Sequence, residues 1–315
     1  MRQAPFEQAH RAEWQAFERQ LGGSGEAAED LPSRYRRLCQ GLALATQRQY
    51  SPDLVDWLNA LALRGHHALY GAVSRRPQRV ADFLLAEFPA LVRHEWRLVA
   101  AAALLFFGPM LLLIGVLQVF PEFVHYVLSP RDIAGFHDMY DPSNRRLGMR
   151  EADDSLAMFG FYIWNNVRIG FQTFAGGLLA GIGTLWFLVA NGVIIGSVAG
   201  YLTQVGYAQT FWSFVAGHSS LELSAIVLSG AAGLRLGMAV VSPGRLSRKA
   251  ALVAASRPAV QLMYGAATMF VAAAFVEAFW SPHGYLPYGA KVAVGAAGWA
   301  VLLAYLSLAG RGRAG

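Results

Sequence analysis

The stretch "FVAGHSSLELSAIVLSG", residues 214–230, is almost wholly apolar or small, yet it carries a histidine and a glutamate four residues apart. Four residues is about one helical turn, so His218 and Glu222 stand one above the other on the same helix face. A run this apolar is at home in lipid. An ionisable group inside such a run is costly and is by default either paired or functional. The stretch therefore points to a helix bundle in a membrane and marks where its chemistry is to be sought.

Composition extends that reading outward. Only 15% of the 315 residues are charged, against about 25% in ordinary soluble domains. Residues 155–241 hold three charges, Arg168, Glu222 and Arg235, and residues 259–310 hold two, Glu277 and Lys291, whereas the first 97 residues hold 24 of the chain's 46. Two solvents follow: water for the N-terminal third and lipid for most of the rest. The opening "MRQAPFEQAHRAEWQAFERQL" has no apolar core segment and no small-residue cleavage site, so internal spans are expected to direct insertion. The single cysteine, Cys39, excludes an intramolecular disulfide and a cysteine-based metal site. Most of the excess positive charge, formally +6, lies beside apolar runs, which speaks of topology and not of nucleic acid.

The expected fold class is all-α, a polytopic membrane helix bundle with an N-terminal cytoplasmic helical domain. Residues 1–96 show apolar positions at helical spacing, broken at "GGSGEAAEDLPS" and at "SPD", where Ser51 and Pro52 suit an N-cap and a first helical position. His66 and His67 are adjacent in sequence and so point to different faces, which disfavours a shared metal. Residues 97–310 form the bundle. Its segments are 98–120 through Pro109, then 155–201 divided near Gly176 and Gly177, then 211–241, 259–280 and 288–308. An extracytoplasmic loop covers about 121–155, with seven acids and four bases but no EF-hand spacing. Basic residues near span ends favour the cytoplasm, which places the N-terminal domain, the loop from Arg245 to Arg257 and the tail 311–315 there. That assignment requires an even number of crossings. About six membrane segments satisfy it; if the segment holding Asn165 re-enters instead of crossing, the count falls to five.

Glycines recur at four-residue intervals at Gly192, Gly196 and Gly200, and again at Gly233 and Gly237. Small residues on one stripe let membrane helices approach closely, either within the chain or between copies in a homo-oligomer. The polar residues form their own stripes. His218, Glu222, Ser229 and Gly233 share a face, as do Asn165, Arg168 and Gln172, with Asn166 beside them; Asn191 opens the glycine stripe and Glu277 stands alone in "FVAAAFVEAFW". These groups are expected to meet in the bundle interior, with Glu222 and Arg168, or Glu277 and Arg235, as possible ion pairs. Three uses are open: a structural polar network, a proton or ion path, and a hydrolytic or metal site. No HExxH, GxSxG or comparable signature is present, so no metal or cofactor is expected, and an intramembrane hydrolase ranks third, behind a scaffold and a channel or transporter.

The basic helical N-terminal part, "YIWNNVRIGFQTFAGGLLAGIGTLWFLVANGVIIG", "FVAGHSSLELSAIVLSGAAGLRLG" and "FVEAFWSP" together resemble the stage II sporulation protein M family over essentially the full length. One departure is Ser219, where the family commonly has glycine after the histidine. The resemblance implies a multi-pass protein of the bacterial inner membrane and a scaffold at the cell envelope. It implies as partners peptidoglycan-remodelling proteins or a MoxR-type ATPase system.

Overall fold

The computed structural model describes residues 3–22, 31–70, 76–143, 152–284 and 286–311. The "GGSGEAAED" break beyond Gly22, loop residues 144–151 and tail residues 312–315 lie outside them. The described structure is helical throughout, and the chain divides into two compact units, Met1–Val80 and Ala81–Gly315.

The first unit is built from α1 (Gln3–Leu21), α2 (Leu31–Gln47) and α3 (Pro52–Tyr70). Its core is a cluster of Phe6, Trp14, Phe17, Leu38, Ala45, Leu54, Leu58 and Leu61, set at helical spacing in each segment. Gly41 lets α2 lie against the Trp14 ring. Ser51 precedes α3, its carbonyl accepting the first helical bonds from Leu54 and Val55. Its own hydroxyl and amide are bracketed by the Gln3 side chain at 2.8 and 2.9 Å, which ties the start of α3 to α1. His66 and His67 are exposed.

After α4 (Arg76–Asp82) and a π-helical turn, the second unit runs through α5 (Phe88–His94), α6 (Trp96–Val119), a 3-10 turn at Pro121–Tyr126, α7 (Pro130–Tyr140), α8 (Ala152–Ala175), α9 (Ile182–Gln204), α10 (Ala208–Val241), α11 (Arg248–Phe279) and α12 (Tyr288–Leu308). Five of these, α6, α9, α10, α11 and α12, are long and apolar enough to cross a membrane. The shortest has 21 residues, or about 30 Å of helix. The sixth segment, α8, has 24 residues and is long enough, but Asn165, Asn166, Arg168 and Gln172 leave it less apolar than the others.

Close glycine contacts fix the directions. Gly192, Gly196 and Gly200 meet Phe106, Met110 and Ile114 in ascending order, so α6 and α9 are parallel. Gly181 meets Gly237 while Leu188 meets Gly230, so α9 and α10 are antiparallel. Gly170 on α8 meets Ser229 and Gly177, in the turn just after it, meets Gly233; on α12, Gly295 meets Ala216 and Gly298 meets Ser220. Both helices therefore run with α10. Gly170 also touches Phe270, beside Ser229, while His218 pairs with Ser281; α11 thus runs against α10. The six segments alternate strictly, and the start of α6 and the end of α12 share one end of the bundle. That end carries Arg93, Arg97, Arg235, Arg245, Arg248, Lys249 and Arg311, with the acids Glu87 and Glu95. The opposite end carries the loop acids Glu122, Asp132, Asp138 and Asp141.

Between α8 and α9 the chain reverses through Ala180 (φ 53°) and Gly181 (φ 84°). The second position favours glycine for its left-handed backbone, and Gly176 and Gly183 are glycine because their backbones touch. The loop after α6 is structured. Ser129 and Asp132 form a capping box at the start of α7, and the Ser129 hydroxyl bond holds the Asp132 carboxyl below the usual carboxylate range. α7 folds back over the bundle end: His137 bridges the hydroxyls of Tyr201 (2.8 Å) and Tyr207 (3.1 Å), and Thr210 donates to the Tyr140 carbonyl at 2.6 Å.

Candidate functional site

Near the α7 end of the bundle, α10 brings His218 and Glu222 inward one turn apart, and α11 brings Glu277. One ligand-type atom of each of the three lies within 4.8 Å of the others. His218 is 3% exposed, and its Nδ1 lies 3.0 Å from the hydroxyl of Ser281, just past the end of α11. Its Nε2 is 3.6 Å from Glu222 Oε2, too far for a hydrogen bond. Ser281 in turn accepts at its carbonyl from Lys291 Nζ, 2.7 Å away and itself buried, so the first turn of α12 is bound to the site. Gly217 is needed here because any side chain would strike the Trp280 ring, over which Lys291 sits at 5.7 Å.

α8 contributes Asn166, 2% exposed. It lies one turn from Tyr162, which packs with Ala274 and Ala278, and one turn from Gly170, which packs on Phe270 and Ser229, so it sits between those two contacts on the inward face of α8. Its Oδ1 accepts from Asn165 Nδ2 at 3.2 Å, and its own Nδ2 has no hydrogen-bond partner.

A cavity of about 710 Å³ opens on the loop side, lined among others by Asp138, Tyr140, Thr210, Phe214, Ser281 and Lys291. Ser281 and Lys291 line the cavity and also touch the site, so the site lies directly behind the cavity wall. On the other side the bundle is closed. Ile226, Val227, Leu228, Ala231 and Ala232 pack with Phe106, Leu188 and Phe270, and none is more than 4% exposed.

The remaining sequence candidates are distributed differently. Arg168 does not join the cluster: it is exposed, as is Gln172, because α8 turns Tyr162, Asn166, Gly170, Thr173 and Gly177 inward instead. Asn165 is half-buried and reaches the site through Asn166 alone among the bonds described. Asn191 donates to Phe187 O in its own helix at 2.7 Å. Arg235 pairs with Glu95, not Glu277, at 3.1 Å to each carboxylate oxygen. Gly192, Gly196 and Gly200 are covered by α6 of the same chain, and Gly233 and Gly237 by the α8–α9 turn and its flanks, so these faces are not open to a second copy. Sequence reasoning missed Ser281, Lys291 and Glu95. A lysine opening an apolar span beside "SPHG", and a glutamate opening another, were the available signals.

A second family model, a domain of unknown function, matches residues 4–71, within the first unit. No curated protein and no solved structure matches the chain. The model for stage II sporulation protein M matches residues 98–282, from α6 to just beyond α11, and so includes His218, Glu222, Glu277 and Ser281. On that match, over more than half of its length, this membrane chain belongs to the stage II sporulation protein M family.

Proposed function

We propose that the protein is a scaffold of the cell envelope that holds partner proteins at the loop end of its bundle. The observation that carries this reading is the one-sided cavity: it offers a binding surface at one end, while the layer around Ile226 and Phe270 closes the bundle beneath it. The basic residues at the opposite end support an inner-membrane orientation in which both termini are cytoplasmic and the cavity faces outward. On that orientation the fitting partners are the peptidoglycan-remodelling proteins expected from the family resemblance, with a MoxR-type ATPase reaching only the cytoplasmic side. Self-association, if it accompanies this role, uses a surface other than the covered glycine stripes.

A photo-crosslinking residue at Gln209, on the cavity wall, is expected to capture a peptidoglycan-remodelling protein in intact cells, and the same residue at exposed Val253, toward the basic end, is not. A second reading, a proton or cation path, has the His218, Glu222 and Glu277 cluster in its favour. Flux into vesicles reconstituted with the protein, abolished by Glu222→Gln, would replace the scaffold by that path. Orientation has its own check: a cysteine at Ser247 should resist a membrane-impermeant reagent added to whole cells, and strong labelling there would reverse the assignment.

A further inference from the structure

We propose that His218, Glu222 and Glu277 hold a divalent metal ion of the zinc class, behind the wall of the loop-side cavity that Ser281 and Lys291 form. The ligand set is one imidazole nitrogen and two carboxylates, drawn from α10 and α11. Borderline and hard donors of this kind suit zinc and its divalent neighbours, whereas calcium takes six to eight oxygens and copper(I) prefers sulfur. The spacing of His218 and Glu222 agrees, and Glu277 brings its ligand atom within 4.8 Å of both. Two ligand atoms each about 2.0–2.2 Å from a tetrahedral ion lie roughly 3.3–3.6 Å apart. His218 Nε2 and Glu222 Oε2 stand 3.6 Å apart, outside hydrogen-bond range and at the edge of that window.

The surroundings prepare the same atoms. A metal-bound histidine usually donates its other ring N–H to an oxygen, which fixes the ring and leaves the ligating nitrogen unprotonated. Here Nδ1 meets the Ser281 hydroxyl at 3.0 Å, so Nε2 is the nitrogen that faces the carboxylates. Charge points the same way. Two carboxylates and an imidazole gathered between membrane-spanning helices suit a cation among them, while Arg235 pairs with Glu95, Lys291 donates to the Ser281 carbonyl and Arg168 lies on an exposed face. Three protein ligands leave one position for water, as at zinc sites that act on or exchange a ligand. The same interior also holds an unsatisfied polar group, the buried amide of Asn166, whose Nδ2 lacks an acceptor.

The site escapes motif reading because no single helix carries it. Its ligands lie at 218, 222 and 277, and the orienting hydroxyl at 281.

The test uses the full chain in detergent, without a polyhistidine tag, stripped with a chelator, incubated with Zn²⁺ and desalted before elemental analysis. About one zinc per chain is expected. His218→Ala and Glu277→Gln should lose it, Ser281→Ala should weaken affinity about 10- to 100-fold, and Arg168→Gln should keep it. Wild type that retains no zinc, or no more than His218→Ala eluting at the same volume, overturns the proposal. Should the ligand variants not fold, Co²⁺ added to the stripped wild type decides. Intense visible absorption of a four-coordinate site supports the assignment, and the weak spectrum of hydrated cobalt refutes it. Neither readout depends on whether a partner occupies the cavity.

Discussion

The two halves of α10 bury themselves in opposite ways. From Ala225 to Gly233 every residue is buried, all are small or aliphatic, and the single hydroxyl, Ser229, is satisfied on the Ala225 carbonyl of its own helix at 2.8 Å. One to two turns earlier, His218 and Ser219 find partners on other elements, Ser281 and Trp299, and Glu222 faces the carboxylate of Glu277. Between helices in lipid there is no water to expel, so close approach of small residues does the holding in the first half. In the second half an unpartnered polar group would be costly, so hydrogen bonds and charge decide the arrangement. The first half should accordingly respond to added volume, and the second to changed chemistry.

The largest effect is expected from Gly233→Leu. A side chain there would start 2.8 Å from the Thr173 carbonyl oxygen and 3.0 Å from that of Phe174, and backbone cannot step aside without parting α8 from α10. Destabilisation of about 3 kcal/mol or more should follow, seen as loss of a monodisperse peak in detergent. Gly196→Leu should behave likewise through Met110 on α6, and it should do so in a monomer, since that seam lies within one chain. A melt near that of wild type for both variants would break the contrast.

Next comes Arg235→Leu, at the closed half's basic end. Glu95 is only 5% exposed and loses the guanidinium that meets both its oxygens. Removing one partner of a buried pair costs about 3–5 kcal/mol, and because Arg235 is partly exposed the lower figure is expected in a thermal melt. Smaller again is the polar half itself, measured in chelator so that no metal contributes. Glu222→Gln keeps hydrogen-bonding capacity and should change stability little, whereas Glu222→Leu strands its neighbours and should cost about 1–3 kcal/mol. Equal melts for the two variants would mean that chemistry does not rule this half.

Much of this was legible before the structure. Most span limits, the break at Gly176 and Gly177, and the inward stripe of His218 and Glu222 follow from apolar run length and helical phase; the exception is α11, which begins at Arg248, inside the stretch read as a basic loop, and not near Ala259. The long loop was readable as a loop, while α7 inside it depended on a capping box at Ser129 and Asp132 that was not read as one. The pairing of Glu95 with Arg235 was beyond sequence, because 140 residues separate them and phase along one helix says nothing of its neighbour. The clustering of Glu277 with His218 was likewise fixed only by how α10 and α11 pack. The inward face of α8 was misjudged for a more instructive reason. Asn165, Arg168 and Gln172 share a face, but that face turns outward; the small residues Gly170, Thr173 and Gly177 were the signal, since close contact with the neighbouring helices demands them.

The smallest expected effect tests that lesson. Arg168 lies seven residues from the end of α8, about 10 Å, on the face left exposed by the inward turn of Asn166 and Gly170. From there a long side chain extends to the interface at the bundle's basic end, its stem on apolar surface and its charge in water. Replacing it removes no buried partner and opens no cavity. Arg168→Gln should therefore shift stability by no more than about 0.5 kcal/mol, with the melt almost superimposed on wild type. Asn166→Leu, two residues away on the opposite face, removes a buried polar group of the interior and should shift it clearly more. If Arg168→Gln proved the more damaging of the two, the face of α8 would be the one its charged residues suggested, and the contrast drawn from α10 would not extend to its neighbour.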